Sequence, residues 1–254
     1  MTGRPAAGGG RWVSVAPERL AGWLRGFAER HGPAEAVLVR AGAGGKDAGD
    51  AWDFRNAGDL RGLGELGELG DVVRLRAADG AVAECHVPFP PLRGPGPGGA
   101  GGALVEALVA HARAERIVGV LLVRRGGYAA GIFEGERLVA SKVGSRLVQG
   151  RSAAGGWSQQ RFARRREKQA AEAAGAAADV AARVLAPRAG ELAAVVLGGD
   201  RRAVGALRGD RRLAAVFALE TGPFLDVPDP RLAVLRETPR RFRAVAVRLL
   251  DPPD

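Results

Sequence analysis

The N-terminal part of the chain carries two hydrophobic periods in turn. Leu20, Trp23, Leu24 and Phe27 recur at offsets 0, 3, 4 and 7, the stripe of an amphipathic helix. Pro17 suits the first turn of that helix, and Gly32 closes it. Val37-Leu38-Val39 predicts a short strand. Residues 72–76 and 81–87 predict two more, joined at the hairpin signal Asp79-Gly80. The intervening stretch 41–70 is rich in Gly, Asp and Glu with little periodicity, and reads as loops and short turns. Residues 12–92 are thus expected to form a small α+β domain, behind a disordered arm over 1–11.

Residues 94–102 read GPGPGGAGG, and a Gly/Pro linker is expected over 93–102. Beyond it the pattern sharpens. Residues 103–115 predict a helix with Leu104, Leu108 and His111 on one face. Residues 117–123 form a near-continuous apolar run, the mark of a strand covered on both faces. Strands follow over 128–133 and 137–142, with turns at Gly126-Gly127 and Glu134-Gly135. A long helix runs roughly from Ser158 to Leu185, striped by Phe162, Ala170, Ala173, Ala177, Val180 and Val184 and ended by Pro187. Strands at 192–197 and 242–249 complete the series, separated by a short helix after Asp200 and a Pro-rich stretch. A meander, a helix, then strands alternating with helices predicts an α/β (α+β) mixed-sheet domain over 103–254, in an order that fits an RNase H-like arrangement. No internal repeat is found.

Composition narrows the setting. The chain has 254 residues, enough for one or two domains, and 46% are hydrophobic, which excludes global disorder. Mean hydropathy is −0.05 and no uninterrupted apolar run of about 18 residues occurs, so no membrane span is expected. Residues 1–10 lack the apolar core of a secretory signal, and a reduced cytoplasmic setting is expected. The single cysteine, Cys85, excludes an internal disulfide. His31, His86 and His111 stand far apart, and no metal or other cofactor is expected. Lys and Arg number 38 against 28 Asp and Glu, a net charge of +10. Such an excess favours an anionic partner, nucleic acid before an anionic membrane surface.

One segment stands apart: VQGRSAAGGWSQQRFARRREK, residues 148–168. Its first half is made of Gly and small residues. Trp157 is then a large aromatic among small neighbours, with Gln159 and Gln160 beside it. Arg161, Arg164, Arg165, Arg166 and Lys168 follow at once, set against Glu167. A tip carrying an aromatic ring and amides on a basic stem suits a narrow site lined by nucleic acid: the cations track phosphates and the indole offers a stacking face. Ser158 is a good N-cap for the helix behind it, whose free amides favour an anion or a developing oxyanion nearby. Gly155-Gly156 lets the backbone approach a substrate closely. The plain alternatives are a surface linker and a solvated helix face.

GGWSQQRFARRRE is similar to the Gly-Gly-Gln loop of archaeal and eukaryotic class I release factors, in whose middle domain that loop is followed by Ser, then Arg-Phe and a basic helix. Gly155, Gly156, Ser158, Arg161, Phe162, Ala163 and Arg164 match, while Trp157 stands in the place of the Gln and Gln159 follows two residues later. The displaced glutamine resembles the Vms-like release factors, and their bacterial branch in particular. The resemblance runs over roughly residues 116–250. It implies a peptidyl-tRNA hydrolase of ribosome rescue or quality control, with a catalytic loop over 149–160 that enters the peptidyl-transferase centre. Gln159, with Gln160 as its neighbour, would orient water at the ester. Gly155, Gly156, Trp157 and Ser158 would contact the tRNA acceptor end, and Arg151, Arg161, Arg164 and Arg165 would bind RNA. The partners implied are the ribosomal large subunit and peptidyl-tRNA, met as a monomer. The family also includes members that cut tRNA near its 3′ end, so ester hydrolysis and a nuclease outcome both stay open.

Other chemistries fare worse. A two-metal nuclease needs carboxylates on the core strands, and 117–125 has none. Gly156-Trp157-Ser158-Gln159-Gln160 lacks the last Gly of a nucleophile elbow and has no neighbouring His. Cys85 and His86 are adjacent in a strand and so face opposite ways. The alternative of another class is a non-catalytic ribosome- or RNA-binding module of the same fold, for which Trp157 is the best argument.

Overall fold

The computed structural model describes residues 4–6, 9–40, 70–94, 101–124, 126–146 and 158–252; over 158–166 it describes the backbone alone. The chain divides into two units, residues 1–114 with 242–254, and 115–241.

The first unit is built on a six-stranded sheet. Its elements in chain order are β1 (Arg4–Pro5), β2 (Arg11–Val15), α1 (Pro17–His31), β3 (Ala34–Val39), β4 (Val72–Ala77), β5 (Val82–His86) and α2 (Gly101–Arg113), with one strand returning from the far end of the chain. Helix α1 begins at Pro17 and ends at Gly32, whose φ of 85° suits glycine. It buries Leu20, Leu24 and Phe27, and Trp23 stacks on Phe27 at 6.0 Å. The β4–β5 turn places Gly80 at φ 92°, and the Asp79 carboxylate accepts from the Ala81 amide at 2.9 Å. Asp71, buried at the head of β4, accepts from the Leu92 amide at 2.7 Å and from Arg40 at 2.9 Å.

The second unit contains β6 (Ile117–Arg124), β7 (Gly127–Glu134), β8 (Arg137–Ser145), α3 (Ser158–Val184), a 3-10 turn (Ala186–Glu191), β9 (Ala194–Gly199), and the short helices α4 (Arg201–Gly205), α5 (Ala214–Phe217) and α6 (Leu232–Arg236). The helix α7 (Pro239–Phe242) leads to β10 (Val245–Leu250). The sheet order is β8-β7-β6-β9, antiparallel across the meander and parallel between β6 and β9. This is the mixed sheet expected from the pattern. Residues Val118–Val123 of β6 are all buried, as their unbroken apolar run requires. On one face α3 covers Leu121, Ala130, Ile132 and Leu197. On the other, Leu235 of α6 packs over Gly131 and Leu225 over Gly198, so closely that a Cβ at either glycine would lie 2.9 Å from its neighbour's side chain.

Three boundaries differ from the sequence reading. Strand β10, expected in the C-terminal domain, lies in the first sheet, paired antiparallel with both β2 and β5. Helix α2 also belongs to the first unit, and it starts at Gly101, so the last two glycines of the expected linker open the helix. Arg4 and Pro5, expected in a disordered arm, pair with Trp12 and Arg11. Most of the stretch read as loops, 41–69, lies outside the described residues.

Candidate functional site

The segment singled out from sequence sits between β8 and α3. Strand β8 is the edge of its sheet and delivers the chain through Ser145 and Arg146; α3 takes it up at Ser158. Residues 147–157 lie outside the described residues, and with them Arg151, Gly155, Gly156 and Trp157. Ser158, Gln159, Gln160, Arg161, Arg164 and Arg165 occupy the first turns of α3. Ser158, expected as the N-cap, is itself the first helical residue, a shift of one position.

In α3, Ala173, Ala177, Ala178, Val180 and Ala181 are buried against the sheet, and Leu185 seals the end. Ahead of Ala173 the picture changes: Glu167, Lys168, Ala170, Ala171 and Glu172 are all exposed. Of the expected stripe, Ala173, Ala177 and Val180 are buried and Ala170 is exposed. From Ser158 to Ala173 the axis advances roughly 22 Å at ~1.5 Å per residue. Phe162, expected in the core, lies about three turns ahead of Ala173, with its side chain outside the described residues.

The sequence RRREKQAAEAA favours a helix by its own composition. Ala, Arg, Glu, Lys and Gln are the strong helix formers. Lys168 Nζ lies 3.9 Å from Glu172 one turn on, an exposed pair that adds a few tenths of a kcal/mol at most. The first turn carries no acidic residue. The partial positive charge of the helix N-terminus is thus left for an external anion. On the strand side, exposed Lys142 and Arg146 add two cations that the sequence reading did not weigh. The signal for them was their place at the end of an edge strand leading into the loop.

The other candidates resolve simply. Cys85 is fully buried and burial pushes its thiol up to about 12, while His86 points to the opposite face of the sheet, as the strand alternation requires. Among the described residues no three His, Cys, Asp or Glu side chains gather in a way that could hold a metal ion. No helix among them is long and apolar enough to cross a membrane.

The model of one family, the Actinobacteria/Chloroflexi VLRF1 release factors, matches residues 104–248. The chain belongs to that family. The match takes in the segment 147–157 and α3, and it also reaches α2 and β10 of the first unit. The expected kinship with release factors stands. Among solved structures the chain is similar to an archaeal translation termination factor, aRF1, at 13% identity over 90% of this chain and 73% of that one, with a TM-score of 0.35. It is also similar to an archaeal protein at 14% identity, over 89% and 70%, with a TM-score of 0.34. No curated protein matches.

Proposed function

We propose that this release factor hydrolyses the ester of peptidyl-tRNA on the ribosomal large subunit, acting as a monomer in the cytoplasm in ribosome rescue or quality control. The observation that carries the reading is the placement of Gly155-Gly156-Trp157-Ser158-Gln159 ahead of and at the start of the long helix α3, which is exposed at Glu167, Lys168, Ala170, Ala171 and Glu172 and which we read as a stalk. Such a stalk can carry the loop into a channel too narrow for the body. Arg151, Arg161, Arg164 and Arg165 neutralise RNA phosphates along the way, and Trp157 stacks on a base. At the ester, water attacks the carbonyl carbon, the bond to the ribose oxygen breaks, and the peptide leaves as a carboxylate with the tRNA hydroxyl restored. Gln159 positions that water through its amide. A glutamine takes no proton at neutral pH, so the proton passes to the ribose oxygen or to ribosomal groups. The helix N-terminus favours the oxyanion that develops.

The test is single-turnover release of labelled peptide from ribosome-bound peptidyl-tRNA, with binding measured separately and the tRNA 3′ end mapped. Gln159→Ala is expected to slow release at least about tenfold, a barrier increase of at least roughly 1.4 kcal/mol. Trp157→Ala acts mainly on binding, and Gln160→Ala does least. Release at the wild-type rate by both glutamine variants overturns glutamine-directed hydrolysis. In that case the non-catalytic module replaces it, a reading favoured by one observation, the indole in the register position of the usual glutamine.

A further inference from the structure

Both described helices of the first unit lie on one face of its sheet, over Val15, Val73, Leu75, Cys85 and Val247. The opposite face carries a continuous row of side chains, one per strand. Arg4 pairs with Trp12, Trp12 with Arg248, Arg248 with Glu84, Glu84 with Arg74, and Arg74 with Val37. Six strands at ~4.8 Å spacing make this row about 24 Å long. Two features mark it out. The Trp12 ring reaches across β10 to His86, with centroids 5.1 Å apart and planes at 54°, so that the imidazole meets the indole at a tilt instead of lying flat upon it. Arg74 and Arg248 approach the same Glu84 carboxylate, at 3.1 and 3.6 Å, so two guanidiniums share one negative charge. With Arg4 the row holds three cations against one anion, and Arg248, its side chain 19% exposed, also donates to the Gly9 carbonyl oxygen at 3.2 Å. At its far end Val37 is 58% exposed.

We propose that this sheet face is a binding surface for single-stranded RNA. An indole flanked in register by guanidiniums on both sides is the combination that stacks a base and holds the phosphates next to it. A flat antiparallel face presents such groups at spacings a splayed strand can follow. Burial holds the His86 imidazole below the ordinary histidine range, so the ring beside Trp12 is a neutral, planar neighbour at pH 7. The chain's net charge of +10 has the sign this partner requires. The surface belongs to the unit that does not bear the stalk, and the proposal does not rest on the cleavage reading: a chain that leaves peptidyl-tRNA intact would still bind RNA here.

The experiment is fluorescence anisotropy of short labelled oligouridylate and oligoadenylate with the full chain, over a salt series. Every variant is compared with wild type and placed also in an Arg161→Ala/Arg164→Ala/Arg165→Ala background, which removes stalk binding. Trp12→Ala is expected to weaken binding about tenfold in both backgrounds, with Trp12→Phe retaining most of it. Arg4→Gln combined with Arg74→Gln is expected to lower the log–log salt slope by about 0.7 for each phosphate no longer neutralised. Circular dichroism melts confirm that each variant is folded. Wild-type affinity in both Trp12→Ala and the arginine variant overturns the proposal, as does a wild-type chain that binds neither oligomer. Variants that lose binding to phosphatidylserine vesicles while keeping RNA affinity overturn it too, and assign the face to an anionic membrane.

Discussion

Gly175 is the sharpest probe of where α3 is anchored. It lies inside the helix two residues past the buried Ala173; it is exposed, and a Cβ built there meets nothing within 4 Å. Gly175→Ala thus changes propensity alone, a gain of about 0.8–1.0 kcal/mol, part of it from a less flexible unfolded chain. The second unit spans 115–241, or 127 residues, with an unfolding entropy near 0.27 kcal/mol/K at ~2.1 cal/mol/K per residue. The gain therefore raises the melting temperature of that unit by about 3–4 °C. The reverse exchange at exposed Ala171, Ala171→Gly, is chemically the same perturbation but acts on the stretch ahead of the buried residues of the helix. It is expected to move the melt by under ~1 °C, because that stretch frays ahead of global unfolding, and to speed amide exchange over 158–171 instead. Far-UV circular dichroism melts and hydrogen exchange read both. A Gly175→Ala chain that melts no higher refutes the helical anchoring at this turn. An Ala171→Gly chain that loses 3–4 °C refutes the reading of the start of α3 as a stalk.

Cys85, with its thiol raised to about 12, is expected to resist iodoacetamide at pH 8 in the native chain and to react fully in denaturant, read by intact mass; native labelling would place it outside the core. Gly198→Ala puts a Cβ 2.7 Å from the Leu225 carbonyl oxygen and 2.9 Å from Leu122, neither of which yields cheaply, and is expected to cost about 1–3 kcal/mol in a denaturant titration. Arg161→Ala/Arg164→Ala/Arg165→Ala together should lower the log–log salt slope of ribosome binding by roughly 0.7–0.9 for each phosphate left without its cation; an unchanged slope makes these residues a solvated face.

The elements that read well from sequence are those whose signal is local. Strand β6 is an unbroken apolar run because both its faces are covered, and α1 shows its stripe, its proline and its closing glycine within sixteen positions. What escaped was partnership. Strand β10 buries Val245, Val247 and Leu249 and leaves Ala246, Arg248 and Leu250 half-exposed. That alternation belongs to a sheet covered on one side, and differs from the continuous run of β9. The period thus pointed to the first sheet, while nearness in the chain pointed to the second. Strand β1 is two residues long and contains a proline, too short for any period and placed where edge strands tolerate it. The alanine stripe of α3 gave its phase, yet the exposure of Ala170 beside the buried Ala173 depends on what the fold places over each. In the candidate site, residue types and order were legible at Ser158–Arg165, whereas the added cations Lys142 and Arg146 of the neighbouring strand were not.

The position of β10 imposes a schedule on synthesis. It is the strand that joins β2 to β5, and it is made after every other strand of either sheet. Until then the first sheet exists as two pieces, β1-β2 and β5-β4-β3, each with an open edge. The 127 residues of 115–241 are made in between, and at ~5–20 residues per second this takes roughly 6–25 s. The second unit has time to fold in that interval, while the backbone edges of 11–15 and 82–86 wait unpaired and available to neighbouring chains. Yield in the cell is then set by elongation speed through 115–241 as well as by native stability, and a fragment cut at the limits of the family match would carry β10 with no sheet to close.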